Sequence, residues 1–87
     1  MKKTSFENVK VELEEACEFL RSFTLGRHGF TQKDGIAGIQ RVTDHCNRLE
    51  KLFADGPNAS KSKAIVATAR PKISAAEARL AVLRQHR

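Results

Sequence analysis

The side chains capable of covalent or metal chemistry are few in this chain of 87 residues, and they are scattered along it. Cysteine occurs twice, at Cys17 and Cys46, and histidine occurs at His28, His45 and His86. No Cys-x-x-Cys or His-x-x-x-His spacing joins them, so neither a metal site nor another cofactor is expected. Two cysteines are too few for a disulfide scaffold, and both are expected to be free thiols on apolar helix faces.

One segment invites comparison with a phosphate-binding loop. Residues 56–62 have the sequence Gly-Pro-Asn-Ala-Ser-Lys-Ser. The comparison fails because the glycine that should precede the lysine is absent, and because the motif requires a strand before it, where the pattern here predicts a helix. The segment is therefore expected to be a turn and a helix start. Since no spacing of Ser, His and acidic residues positions a nucleophile beside a base, the chain is expected to be a non-enzyme.

Positive charge is concentrated toward the C-terminus. The net charge is +6, and residues 56–87 carry seven Lys and Arg side chains against the single carboxylate of Glu77. Charge polarised in this way favours an acidic partner, although a solvated basic surface is the simpler alternative. Helical spacing places the candidate partner-binding residues on two flanks of one helix. One flank has Lys61, Lys72 and Arg79, and the other has Lys63, Arg70 and Arg84.

Small uncharged residues lie between these two flanks on the outer face of the same predicted helix. Alanine on an exposed helix face is often present only as a good helix former. A flat face of small side chains also lets a second helix approach closely, so a homodimer through this face is a further hypothesis. The outer face consists of Ala64, Ala67, Ala75, Ala78 and Val82.

A second candidate contact is the segment 26–31, with the sequence Gly-Arg-His-Gly-Phe-Thr, at a predicted helix junction. Gly26 itself falls where a left-handed residue would end the first helix. Arg27 and Phe30 combine a cation with an aromatic ring, a pairing suited to stacking on bases or gripping a protein partner. The alternative is that Phe30 folds back as a hydrophobic cap on the end of the domain.

Apolar residues recur at helical spacing in three segments, which predicts helices at about 5–25, 32–54 and 59–85. Three amphipathic helices joined by short turns are typical of an all-α, antiparallel three-helix bundle, and residues 1–87 are expected to form this single domain. The predicted core includes one or more large side chains from each segment: Leu13, Leu20, Ile39, Leu49, Ile73 and Leu80. On the second helix the predicted apolar face begins at Ile36.

Three local features refine this prediction. The pair Thr31-x-x-Asp34 is typical of a capping box at the start of the second helix. Gly35 and Gly38 indicate either a close approach of another chain segment or a frayed first turn. Pro71 interrupts an otherwise continuous apolar pattern, so the third helix is expected to be long and either kinked or split there.

Composition narrows the classes of function. Hydrophobic residues make up 40% and charged residues 30%, no apolar run approaches the roughly 18 residues of a membrane span, and a cytoplasmic location is expected. These features favour a small interaction module of the inhibitor, adaptor or antiactivator type, of phage or plasmid origin, docking its basic helix on a larger acidic protein or nucleoprotein. The alternative is a nucleic-acid-binding protein that contacts phosphates through the same residues.

Overall fold

The computed structural model describes residues 5–85, which form three α-helices in chain order. These are α1 (Phe6–Thr24), α2 (Gln32–Leu52) and α3 (Ala59–Gln85), with a single 3₁₀ turn at Arg27–Gly29 between the first two. The described residues contain no strand. Each helix packs against the other two, which confirms the predicted all-α three-helix architecture. The helices begin and end within two residues of the bounds expected from the sequence.

Side chains define where α1 and α2 begin. The Ser5 hydroxyl accepts a hydrogen bond from the backbone N–H of Asn8 at 3.1 Å at the start of α1. At the start of α2, Thr31 and Asp34 form the predicted capping box. The Thr31 N–H donates to Asp34 Oδ2 at 2.8 Å, and the Asp34 N–H donates to Thr31 Oγ1. At the start of each of these helices, the capping side chains accept hydrogen bonds from backbone N–H groups that a helix leaves unpaired in its first turn.

The core runs along the centre of the bundle and includes four of the six predicted core residues. Ile39 and Ile73 are the two exceptions, because they are only half-buried and pack against the edge of the core. The buried apolar residues are Val9, Leu13, Ala16, Leu20, Phe23, Val42, Cys46, Leu49, Val66, Ala69, Ala76 and Leu80.

At the start of α2, the residues that face the core differ from those predicted. Ile36 is 51% exposed, whereas Gly35 and Gly38 are buried. The reason is the ring of Phe23 on α1, which lies directly over Gly35: a Cβ added there would be 2.6 Å from Phe23 Cε1. The glycines therefore allow a close approach between α1 and α2, and the frayed turn is ruled out because α2 is helical from Gln32 onward.

Helix α3 continues from Ala59 to Gln85 as one element of 27 residues with Pro71 inside it. Pro71 is exposed, on the side of the helix opposite the core. Proline is least disruptive there, because a helix that curves around a core lengthens its solvent-side hydrogen bonds. The kink itself stays a prediction.

Candidate functional site

The two basic flanks of α3 face different neighbours in the bundle. Lys72 lies beside α1, where it lines a groove together with Glu14 and Cys17. On the other flank, Arg70 reaches Glu50 of α2, and Arg84 lines a shallow depression beside Ile36. The flanks predicted from helical spacing are therefore separated by the outer face of α3, and the six cations do not form one continuous patch.

Arg70 is committed to a contact within the chain. Its Nη2 donates to Glu50 Oε1 at 2.6 Å, with both side chains about half exposed. Exposed ion pairs of this type stabilise a protein by only about 0–1 kcal/mol. The pair nevertheless offsets the charge of Arg70, which reduces what this residue can offer to an acidic partner.

Arg79 also has a contact within the chain, just beyond the C-terminal end of α1. Gly26 ends that helix with a left-handed conformation (φ 73°), as the sequence predicts. The guanidinium of Arg79 lies against Gly26, so close that a Cβ added at that glycine would be 3.1 Å from Arg79 Nη2. A cation at a helix C-terminus interacts favourably with the helix dipole. Arg79 is half-buried, and its Nε is buried with no hydrogen-bond acceptor among the described residues.

Three of the six cations on α3 remain accessible. Lys61, Lys63 and Arg84 are exposed, and no carboxylate within residues 5–85 lies at ion-pair distance from any of them. Lys72 is intermediate in exposure, with its Nζ donating to the Thr68 carbonyl at 3.3 Å. The sequence alone could not separate Lys61, Lys63, Lys72 and Arg84 from Arg70 and Arg79, because the contacts of the latter two lie in distant parts of the sequence.

The outer face of α3 is exposed, and its first residue, Ala64, also lines the groove beside α1. Each of its five residues is exposed, and Val82, the largest of them, is 41% exposed. Its neighbours on the helix surface are the two basic flanks and small polar residues such as Ser74.

In the junction between α1 and α2, Phe30 packs within the chain. Its ring lies 4.8 Å from the ring of Phe19 in an edge-on arrangement, and 5.6 Å from the ring of His28. His28 itself has a positive φ of 61°, which is uncommon for a residue other than glycine. Arg27 is exposed, so the two candidate residues of this segment have different environments. The contact with Phe19 agrees with the interpretation of Phe30 as a hydrophobic cap.

A groove that the sequence did not predict lies between α1 and α3. It has a volume of about 450 Å³, and its floor is formed by Leu13, Ile65 and Ala69 with Cys17 beside them. Glu14 and Glu18 of α1 form one edge, here called the acidic rim, and Lys72 of α3 forms the opposite basic rim. No helical-spacing argument could find this groove, because its two edges belong to helices that are about fifty residues apart in the sequence.

Both thiols lie between the helices and are free. Burial raises the pKa of Cys17, with Lys72 opposing the rise and Glu14 adding to it. Burial likewise raises the pKa of Cys46, with Arg70 opposing the rise. A raised thiol pKa lowers the fraction of thiolate, the nucleophilic form, at neutral pH. The raised pKa values therefore give no indication that either thiol is activated as a nucleophile.

The described part of the chain contains no cluster of three or more His, Cys, Asp or Glu side chains that could hold a metal ion. None of the helices within residues 5–85 has the length and apolar character required to cross a lipid bilayer. Comparison with protein-family models, with curated proteins and with solved structures gives no significant match for this chain. Its function must therefore be argued from its own residues.

Proposed function

We propose that this chain is a small, non-enzymatic interaction module that docks the outer face of α3 on an acidic surface of a larger protein. The observation that carries the proposal is the arrangement of α3: an exposed, uncharged face runs along the helix between two basic flanks. Small side chains at the centre permit close packing of a partner helix, and the flanking cations select a partner with carboxylates at its edges.

The cations of α3 are expected to contribute unequally to binding an acidic partner, because they differ in how accessible they are. Lys61, Lys63 and Arg84 are exposed without a carboxylate partner in residues 5–85, so they can pair with a second protein at no cost to an existing contact. Arg70 would have to share its guanidinium with Glu50. Arg79 acts mainly through the end of α1. Mutation of Lys63 or Arg84 is therefore expected to change the association rate more than the fold.

A nucleic acid is the competing partner, and the seven-to-one charge ratio in residues 56–87 favours it. The aromatic side chains argue for the protein instead. All five are Phe, and each has a contact inside the chain: Phe6 with Phe53 at 5.3 Å, Phe19 with Phe30, and Phe23 in the core. No ring is left on α3 to stack on bases, which is the usual means of binding single strands.

The proposal is tested by affinity capture from a nuclease-treated lysate with the parent chain and two matched variants. Ala78→Glu places a carboxylate at the centre of the outer face and should abolish capture of a specific protein. Ala37→Glu introduces the same change at an exposed position of α2 and should leave capture intact. Equal loss with both variants, or none with either, would contradict docking through the outer face.

Direct titration with random-sequence duplex DNA separates the two partner classes. Binding to phosphates should weaken linearly on a plot of log affinity against log salt, with a slope set by the number of phosphates neutralised. We expect weak DNA binding that Ala78→Glu changes little, since that residue is not a cation. Tight binding with a steep slope, lost on Lys63→Glu, would instead support the nucleic-acid alternative.

A further inference from the structure

The groove between α1 and α3 has edges of opposite charge. Glu14 and Glu18 are exposed on the acidic rim, and Lys72 stands on the basic rim. On α1, Glu18 Oε1 is 3.7 Å from Arg21 Nη1. Glu14 has no cation within ion-pair distance among residues 5–85. Lys72 has no carboxylate at that distance in the same part of the chain, so the two rims face each other without pairing.

This pattern restricts what can occupy the groove. A uniformly acidic helix would meet the carboxylates of one rim, and a uniformly basic helix would meet Lys72. Like charges placed opposite one another at an interface weaken association, so both are disfavoured. The occupant that fits has basic groups along one side and acidic groups along the other, with apolar contact between them. The α1–α3 face of this same chain has that pattern.

The direction of the helices makes the face complementary to itself. Helices α1 and α3 are parallel, because the end of α1 at Gly26 lies beside Arg79 near the end of α3. A two-fold axis along the groove therefore places α1 of one copy over α3 of the other without changing any residue's height along the axis. Glu14 and Lys72 line the same groove from opposite sides, so this rotation brings each Glu14 toward the Lys72 of the second copy.

We propose that a second copy of this chain is the occupant of the α1–α3 groove, in a symmetric dimer with Glu14 of each copy paired to Lys72 of the other. Such two-fold dimers are the commonest oligomers of soluble proteins, and each of the paired contacts then occurs twice. A stable interface buries about 800 Å² of each partner. That is about an eighth of the 6015 Å² surface of one chain, which one long face of the bundle can supply.

The symmetric alternative, a dimer through the outer face of α3, is disfavoured by the same reasoning. That face has cations on both sides, so any two-fold pairing of α3 with itself sets Lys and Arg against Lys and Arg. In the groove dimer the facing charges are opposite in sign, and the repulsion that remains comes from the net charge of +6 on each copy. This repulsion is screened beyond about 8 Å at physiological ionic strength, whereas pairs in contact are screened less.

The test reverses the charge of Glu14 or of Lys72 and measures the molar mass in solution. Sedimentation velocity or light scattering at physiological salt gives this mass. The parent should show twice the 9.7 kDa of one chain. Glu14→Lys and Lys72→Glu should each raise the dimer dissociation constant at least about tenfold, because every symmetric contact becomes repulsive. Lys63→Glu makes the same charge change on the flank facing α2 and should leave the mass unchanged.

An equimolar mixture of the two variants provides the decisive measurement. The lysine introduced by Glu14→Lys in one copy then meets the glutamate introduced by Lys72→Glu in the other. The unmutated Lys72 of the first copy meets the unmutated Glu14 of the second, so the mixed dimer should form with an affinity near that of the parent. Circular dichroism of each variant establishes that it is folded.

Three results would overturn the dimer: a parent that stays monomeric up to millimolar concentration, a mixture that stays monomeric, or a dimer indifferent to both reversals. The docking face and the groove share Ala64 and Lys72, but the docking test is separate from the dimer test, since its variant, Ala78→Glu, lies outside the groove. Failure of one proposal is therefore distinguishable from failure of the other.

Discussion

Helix α1 contacts its two neighbours in different ways. Against α2 it forms a closed interface, in which Phe19 and Phe23 lie directly over two glycines and leave no space for a side chain at Gly35. Against α3 it leaves a groove of about 450 Å³ with Cys17 half-buried beside it. The closed interface uses large rings over glycine to bring two helices together. The open one leaves apolar surface and unpaired charge accessible, as binding requires.

The contrast assigns different roles to the two interfaces. Burial of rings and aliphatic side chains supplies most of the free energy of folding, so the α1–α2 interface is expected to dominate stability. The groove buries less of its lining, so substitutions there should affect stability less and association more. The first of the following predictions compares a substitution in the closed interface with a matched one in the groove, and the others test single contacts within the bundle.

The largest difference is expected between Phe23→Ala and Ile65→Ala. Phe23 is 1% exposed, and its truncation should lower the free energy of unfolding by about 3–5 kcal/mol through lost burial and the cavity left behind. Ile65 is only half-buried at the groove and should cost less than half as much. Urea unfolding followed by circular dichroism measures both. Equal losses would mean that the groove is as tightly packed as the closed interface.

The two glycines test how tightly the closed interface fits. Gly35→Ala places a Cβ 2.6 Å from Phe23 Cε1, and we expect an overpacking cost of about 1–3 kcal/mol that exceeds the gain in helix propensity of about 1 kcal/mol. Gly38→Ala is the control. Its Cβ would lie 3.0 Å from Phe19 Cε2, which a small shift relieves, so its net effect should be near zero. A stabilising Gly35→Ala would contradict the close approach.

On α3, charge reversal should separate a structural cation from an accessible one. Arg79→Glu places a carboxylate at the C-terminal end of α1, where the helix dipole repels it, and should lower the melting temperature by several degrees, equivalent to about 1 kcal/mol. Lys63→Glu changes the same charge at an exposed site without a carboxylate partner in residues 5–85, and the melting temperature should stay within error. Equal shifts would show that Arg79 has no special contact with Gly26.

The fold was predictable from the sequence because each of its elements depends on local information. Each signal involves only residues close in sequence to the structure that it determines. This holds for the helix periodicity, the Thr31–Asp34 capping box and the left-handed residue Gly26 at the end of α1. The misplacement of Ile36 has a different cause. Its side chain is exposed because a ring from α1 takes the core position over Gly35, and no pattern within α2 contains that ring.

The candidate site was less predictable for the same physical reason. Helical spacing divides the cations of α3 into two flanks, since this depends on one helix alone. It could not reveal that Arg70 meets Glu50 or that Arg79 lies against Gly26, because these contacts join residues 20 or more positions apart. The groove is the extreme case, since it exists only where two helices fail to fill the space between them.

The smallest expected effect concerns the buried thiol of Cys46. Burial raises the pKa of Cys46 above its ordinary value of 9.0. Between the unfolded and folded pKa values the folded state therefore holds the proton more tightly. Stability from this group is fully present below pH 9 and decreases as the pH rises toward the folded-state pKa.

Urea unfolding of the parent and of Cys46→Ala below and above pH 9.0 measures this. The alanine variant should be less stable by about 1 kcal/mol at neutral pH, through the lost sulfur, but should decline less steeply in alkali. Parallel curves for the two proteins would mean that Cys46 ionises as easily in the core as in the unfolded chain.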